Sequence, residues 1–335
     1  MGGSYVKVLV GSVVYPTLAA LLAVAAWAAC VHFFVGAREP APLRHWNANK
    51  HVHTDGLTFT SVETNGVRLN VIEAGDRASS SKKLAVLLHG FPETALLSWH
   101  AHIPALVAAG YFVVAPDQRG YNRSEKPESV EAYFIDHLAD DVRGLIRHYG
   151  HDKATVPAPI ALRWPEVVEK LVIMNAPHPL AFRDHLTSSL SQLGKSWYIF
   201  YFQLPYVPEE KIRSYGAPEG SGIIGKTFPL DSLRRGLQAW SEPGALTGML
   251  NWYRAAFRNA RRLNEVDPAI RVPLHMIWGE NDVALDLVLV EKSLAYCRQR
   301  DPAVCGATYL PEATHWVQHD EPERVSRALL AFLAP

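Results

Sequence analysis

The sequence predicts an α/β fold: a mostly parallel central sheet covered by helices, interrupted by a helical lid and preceded by an N-terminal transmembrane helix. Three observations carry this. Short, fully apolar runs recur along the chain, and helical patterns separate most of them. Strands that read as continuous apolar runs are buried on both faces, as in a parallel sheet enclosed by crossover helices. Between Pro179 and about Asp267 the rhythm breaks, and aromatic segments such as SWYIFYFQLPY and MLNWYRAAF stand without strand-like runs. A hydrophobic fraction of 48% with 20% charged residues supplies a full core for one large domain with an insertion.

The N-terminus comes first. From Val8 to Ala37 the chain carries no Asp, Glu, Lys or Arg, a run long enough to span a bilayer as a helix. Pro16 is tolerated in such a helix. A cleaved signal peptide is the competing reading, but the run exceeds a typical signal core and only Lys7 precedes it. Residues 1–37 are therefore expected as a retained anchor, with the membrane contacted through 8–37, and 38–55 as an aperiodic linker. More basic residues follow the run (Arg38, Arg44, Lys50) than precede it, which expects the main domain on the cytoplasmic side of a single-pass membrane protein.

Core elements are expected at 56–178 and 268–335, flanking a lid at 179–267. LTFTSVETNGVRLNVIEAG reads as a hairpin with Asn-Gly at its turn. KKLAVLLHG, YFVVAPD, KATV, EKLVIMNAP, PLHMIWGE and ATYLPEA supply the remaining strands. Chemistry in such sheets sits at the carboxyl ends of the strands. With 33 basic and 33 acidic residues, no electrostatic footprint for nucleic acid exists. Of the three cysteines, Cys30 lies in the apolar run, and Cys297 and Cys305 flank a short loop where a disulfide is conceivable. No Cys/His spacing suits zinc, so no metal is expected.

Three strand ends offer candidates. LLHGFPE follows the third strand, where a tight Gly turn lets the Phe91 N–H point at a developing oxyanion. WGENDVAL puts Asp282 just past a strand, and EATHWVQHDEP puts His315 just past the last. Alone, Asp282 reads better as a helix cap and His315 as a loop histidine. Together they have the acid-then-histidine order of a catalytic triad on an α/β sheet.

HGFPE, APDQRGYNRSEKP, EKLVIMNAPHP, SWYIFYFQLP, MLNWYRAAF, WGEND and ATHWVQHDEP occur in this order over roughly residues 50–335. Together they resemble the epoxide hydrolases of the α/β-hydrolase superfamily, especially the membrane-anchored vertebrate-type branch. The resemblance implies that Asp282 orients His315, that His315 activates water, and that Tyr198 and Tyr253 donate hydrogen bonds to the epoxide oxygen. It implies a lipophilic epoxide and water as partners, no cofactor, and an endoplasmic reticulum membrane. Opening a three-membered ether leaves an alkoxide, which a phenol in a dry pocket stabilises as it forms. Packing within the lid is the plainer role for either tyrosine.

One part is missing. In the family the strand matching KATV leads into a Gly-His-Asp-Trp-Gly-Gly elbow whose aspartate attacks the epoxide. Here KATV runs into PAPIALRWPEVVEK, a loss of roughly ten residues against the usual elbow and crossover helix. From Val156 to Pro165 there is no Ser, Cys, Asp or Glu, and Thr155 lies inside the strand. GHDK at 150–153 mimics the elbow but precedes the strand, which expects Asp152 at the far end of the sheet from His315. Pro157 and Pro159 oppose helix, leaving about two turns around ALRWPEVV and poorly covered apolar sheet. Three readings stay open: an epoxide hydrolase that has lost an exon or codon block, a noncatalytic binder of lipophilic ligands, and a membrane-tethered scaffold.

Overall fold

Asn65 and Gly66 both take positive φ, 47° and 73°, the backbone that a tight hairpin turn demands and that Asn-Gly supplies most cheaply. They join β1 (Leu57–Thr64) to β2 (Val67–Ala74) in antiparallel register, Thr64 opposite Val67. The computed structural model describes residues 56–77, 83–156, 160–214, 236–265, 267–299 and 301–334. The expected anchor at 1–37, the whole linker at 38–55 and residues 215–235 of the expected lid lie outside them. Among the described residues no helix is long and apolar enough to cross a membrane.

The remaining strands are β3 (Leu84–Val86), β4 (Phe112–Pro116), β5 (Ala154–Val156), β6 (Val168–Met174), β7 (Leu274–Gly279) and β8 (Cys305–Leu310). Their order is β1-β2-β4-β3-β5-β6-β7-β8, antiparallel from β1 to β4 and parallel from β4 to β8. Every residue of β3, β4 and β5 is buried, as continuous apolar runs require. Helices Ile135–His148 and Leu289–Arg298 cover one face. Ala95–Trp99, Ile103–Ala108 and Pro322–Leu333 cover the other. The described residues between β6 and β7 include helices and turns but no strand, among them helices Trp197–Tyr201 and Ala245–Arg258. Cys297 and Cys305 are joined in a disulfide that ties a covering helix to β8.

The crossover from β5 to β6 holds two short turns around ALRWPEVV, the second of them 3-10. One α-turn, Ile160–Arg163, is followed by a 3-10 turn, Pro165–Val167. Trp164 between them is extended in φ (−134°), because the residue before a proline is driven out of the helical region. Its indole N–H donates to Asp140 Oδ1 at 2.9 Å, and the Arg143 guanidinium lies 3.8 Å over its ring. These contacts pin the stub to helix Ile135–His148.

The lid is held by close backbone approach. A Cβ at Gly248 would fall 2.5 Å from the Gly120 carbonyl oxygen, so helix Ala245–Arg258 can sit on the loop after β4 only with glycine there. That loop is anchored by Arg119, which donates to Asp141 Oδ2 at 2.8 Å and Oδ1 at 2.6 Å and to the Ala132 carbonyl at 2.8 Å. The Asp141 and Arg119 side chains are 6% and 4% exposed, and a buried pair broken on one side leaves an uncompensated charge. Arg119→Ala is expected to lower unfolding free energy by about 3–5 kcal/mol, measured as a shift of the urea midpoint at unchanged slope.

Candidate active site

Strand ends β6, β7 and β8 converge because glycine lets them. A Cβ at Gly279, the last residue of β7, would lie 2.1 Å from the Thr314 carbonyl oxygen, so the two loops touch. Asp282 follows on one loop and His315 on the other. His315 Nδ1 donates to Asp282 Oδ2 at 2.8 Å, which leaves Nε2 as the basic nitrogen. The remaining lone pairs of Asp282 are filled by the amides of Ala284 and Leu285, at 2.7 and 2.9 Å, and by Asn175 Nδ2 at 2.6 Å.

Burial works to raise the Asp282 pKa, but the charge and hydrogen bond of His315, with Asn175 and the Ala284 amide, hold it below the usual carboxylate range. Burial works to lower the His315 pKa; the Asp282 carboxylate, with Glu93 and Asp320 beyond, overcomes it and raises it. The pair is thus an oriented base with a strengthened proton affinity.

Asn175 was not singled out by sequence reasoning. It directly follows β6, in the left-handed region (φ 39°) that Asn tolerates best after Gly. Its Oδ1 accepts from the Gly279 amide at 2.9 Å while its Nδ2 holds Asp282. The asparagine of EKLVIMNAP was the available signal.

The HGFPE loop forms the opposite wall. His89 Nε2 accepts from the Gln118 amide at 3.0 Å, and its ring meets Tyr121 edge-on. Phe91, joined to Pro92 by a cis peptide, sets its ring between Tyr253 and Phe202, each centroid 5.4 Å away. Glu93 is buried, accepting from Gln318 Nε2 at 2.8 Å and paired with His319. This carboxylate fastens the loop after β3 to the segment carrying His315. Gln318 and His319 too went unassigned from sequence, although QHDEP lay in a recognised stretch.

Two phenols come from the lid. Tyr198 and Tyr253 meet edge-to-face, centroids 5.9 Å apart. Burial raises both pKa values, helped by Asp282 at Tyr198 and by Tyr198 and Tyr121 at Tyr253, so both are neutral donors at ordinary pH. Lid and loop are bolted together by Trp240 Nε1 donating to the Pro92 carbonyl at 2.8 Å. Arg254, paired with Glu209 at 2.8 Å, also donates to the carbonyls of Phe202 and Leu204.

A cavity of about 400 Å³ opens here, lined by His89, Phe91, Tyr253 and His315 together with Thr155 and Val156 at the end of β5. The structure thus brings together on one cavity His315, Tyr253 and Phe91, with Asp282 behind His315 and Tyr198 behind Tyr253. Asp152 precedes β5, at the end of the sheet opposite His315. Among the described lining residues Glu93 is the one carboxylate, and both its oxygens are engaged.

A family model described as the alpha/beta hydrolase fold matches residues 84–157. The AB hydrolase superfamily protein YfhM of Bacillus subtilis is 39% identical over 293 residues, covering 83% of this chain and 99% of its own. Epoxide hydrolase 1 of Caenorhabditis elegans is 34% identical, covering 83% and 71%. An epoxide hydrolase from Bacillus megaterium superposes with a TM-score of 0.70 at 27% identity, over 82% of this chain and 99% of that one. A variant of that enzyme was crystallised with its product, (R)-3-[1]naphthyloxy-propane-1,2-diol.

Proposed function

The chain belongs to the epoxide hydrolases of the α/β-hydrolase fold, and from that premise we propose that its site is built for hydrating a lipophilic epoxide to a vicinal diol through an Asp-His-Asp mechanism. This polypeptide lacks the first aspartate and is inactive or nearly so.

In the complete reaction a carboxylate at the end of β5 attacks an epoxide carbon, and the C–O bond breaks as Tyr198 and Tyr253 donate to the departing oxygen. An alkyl ester and a hydroxyl result. His315, held by Asp282, then takes a proton from water; the hydroxide adds to the ester carbonyl, the Phe91 amide stabilises the oxyanion, and collapse expels an alkoxide that takes the proton from His315 to leave as the diol, while the regenerated carboxylic acid's proton returns to the tyrosine pair. The observation that carries this reading is the Asp282–His315 contact of 2.8 Å beside a cavity that also holds Tyr253 and the end of β5. The observation against activity is the sequence after Val156, which offers no carboxylate through Pro165. His315 and Asp282 alone support at most slow direct attack by water.

The aromatic and aliphatic lining supports a lipophilic substrate, fatty-acid-derived epoxides included, and the aryl ether product of the Bacillus megaterium enzyme supports the same class. The apolar run 8–37 fits an anchor that keeps the site near a lipid source, as in the endoplasmic reticulum. The excess of basic residues after that run supports a cytoplasmic main domain. A noncatalytic ligand binder or scaffold is the second reading, favoured by the absent nucleophile beside an intact cavity. The full Asp282, His315, Tyr198 and Tyr253 constellation favours the first, because a binder has no physical need of it.

The purified 335-residue chain, given a radiolabelled lipophilic epoxide, is expected to form diol at no more than the rate of buffer plus slow water attack. Enzyme-like turnover, or a labelled enzyme ester, would show that another residue near His315 attacks.

A further inference from the structure

From Asp282 to Asp286 the chain forms neither strand nor helix, so the backbone groups of this loop need partners from elsewhere. The lid supplies them, from helix Leu190–Lys195. Gln192 Oε1 accepts from the Asp286 amide at 2.9 Å, and Gln192 Nε2 donates to the Ala284 carbonyl at 2.9 Å. Lys195 Nζ donates to the carbonyls of Asp282 at 3.0 Å and Leu285 at 3.3 Å and pairs with the Asp286 carboxylate at 3.2 Å, which engages its three N–H groups. Ser191 Oγ donates to the same carboxylate at 2.9 Å, and His185 Nε2 lies 3.1 Å from it.

Gln192 is the hub of these contacts. It is fully buried, and because a backbone amide can only donate and a carbonyl can only accept, its carboxamide fits in one orientation. The Nε2 group also donates to Ser196 Oγ at 2.9 Å, and Ser196 is the residue from which helix Trp197–Tyr201 starts. One carboxamide thus joins the Asp282 loop to the helix bearing Tyr198. The two functional groups are near enough that the Asp282 charge, after burial, helps to raise the Tyr198 pKa. Without the carboxamide the Asp286 amide and the Ala284 carbonyl lose these partners, and an irregular loop keeps its shape only while such groups are satisfied.

We propose that Gln192, assisted by Lys195, is a positioning residue that holds the Asp282 loop in the register in which its carboxylate reaches His315, and fixes that register against the helix bearing Tyr198. The lid is then a support of the acid–histidine pair as well as a wall of the cavity. This rests on the reading of Asp282 as the group that orients His315.

The readout is the titration of His315 itself, followed by nuclear magnetic resonance in the full-length chain with isotopically labelled histidine, its signal identified by loss in His315→Gln. Burial works to lower this imidazole's pKa and Asp282 overcomes it, with Glu93 and Asp320 adding to Asp282; the lid variants leave Glu93 and Asp320 in place. Gln192→Met keeps the length of the side chain and removes its hydrogen bonds to Asp286, Ala284 and Ser196. The His315 midpoint is expected to move to lower pH, because a displaced carboxylate no longer offsets burial, and the low-field signal of the Nδ1 proton bonded to Asp282 is expected to weaken. Lys195→Met is the second variant, expected to shift the midpoint the same way, and it decides should Gln192→Met fail to melt cooperatively. Removing a cation raises a nearby imidazole's pKa by charge alone, so a fall in Lys195→Met reports lost position. Leu193→Ala, exposed on the same helix, should leave the midpoint where it is. A midpoint that stays or rises in Gln192→Met, or in Lys195→Met where that variant decides, overturns the proposal, as does an equal fall in Leu193→Ala. Asp282→Asn separates the two claims. A midpoint that falls in Asp282→Asn but not in Gln192→Met removes the role of Gln192 and leaves the Asp282–His315 reading intact; one that does not fall in Asp282→Asn removes that reading and this one with it.

Discussion

Inserting a Gly-His-Asp-Trp-Gly-Gly elbow with its following helix after Val156 is expected to raise diol formation by at least about 10⁴-fold over the 335-residue chain, the scale on which removing a nucleophile silences an enzyme built for covalent catalysis. The reason is positional. β5 ends at Val156, which lines the same cavity as His315 and Tyr253. In the proposed reaction an aspartate on a sharp turn there faces the cavity that Tyr253 and His315 also line. No described residue takes that place, because Asp152 stands at the other end of β5 and Glu93 is tied to Gln318 and His319. The insertion should also stabilise the fold. The present crossover has one α-turn and a 3-10 turn, and a longer helix adds several buried apolar side chains, each worth about 2–5 kcal/mol by the cost of truncating one. Diol formation and urea unfolding of both chains are the measurements. Restored stability without restored turnover would sink the assignment of the missing nucleophile while sparing the fold; gain of both would make the shorter chain a broken form of a working enzyme.

The sheet was legible because its strands are buried on both faces and so advertise themselves as apolar runs; Asn65-Gly66 was legible because few other pairs accept that turn. Asp282 and His315 were found by their order after strand ends. Their supports were not, since Asn175 meets Asp282 across 107 residues and Glu93 meets His319 across 226. Hydrogen bonds of that reach leave no periodicity in a chain. The crossover after β5 was expected at about two helical turns and has two, but the second is 3-10 because Pro165 bends Trp164 out of the α-helical region. The cavity was only half legible: uncovered apolar sheet was expected from the shortened crossover, but its run down to Leu106 and Leu333 depends on how two covering helices pack.

In the restored chain, His315→Gln is expected to lower steady-state turnover by roughly 10²–10⁴-fold, the usual contribution of a general base, while the first half-reaction survives. Labelled ester should then accumulate in a burst and stay. The pH dependence separates base from scaffold. In the proposed mechanism His315 is a base and must be neutral, and its pKa is raised above the ordinary imidazole value because Asp282 outweighs burial. Turnover should therefore fall as pH drops through that raised value. Stability runs the other way. A histidine whose folded pKa exceeds its unfolded one contributes stability fully present below the unfolded value and lost as pH rises through the folded value. Asp282, held below the usual range, contributes stability present above its unfolded pKa and lost as pH falls through the lower folded one. Between the two histidine values, activity rises with pH while this pair's stabilisation declines. Asp282→Asn removes the charge that opposes burial, so the acid limb of the rate profile should move to lower pH and the plateau should drop, because the imidazole loses its orienting acceptor. An acid limb that stays in place in Asp282→Asn would mean that the titrating group is not His315, and the hydrolytic half of the mechanism would need another base.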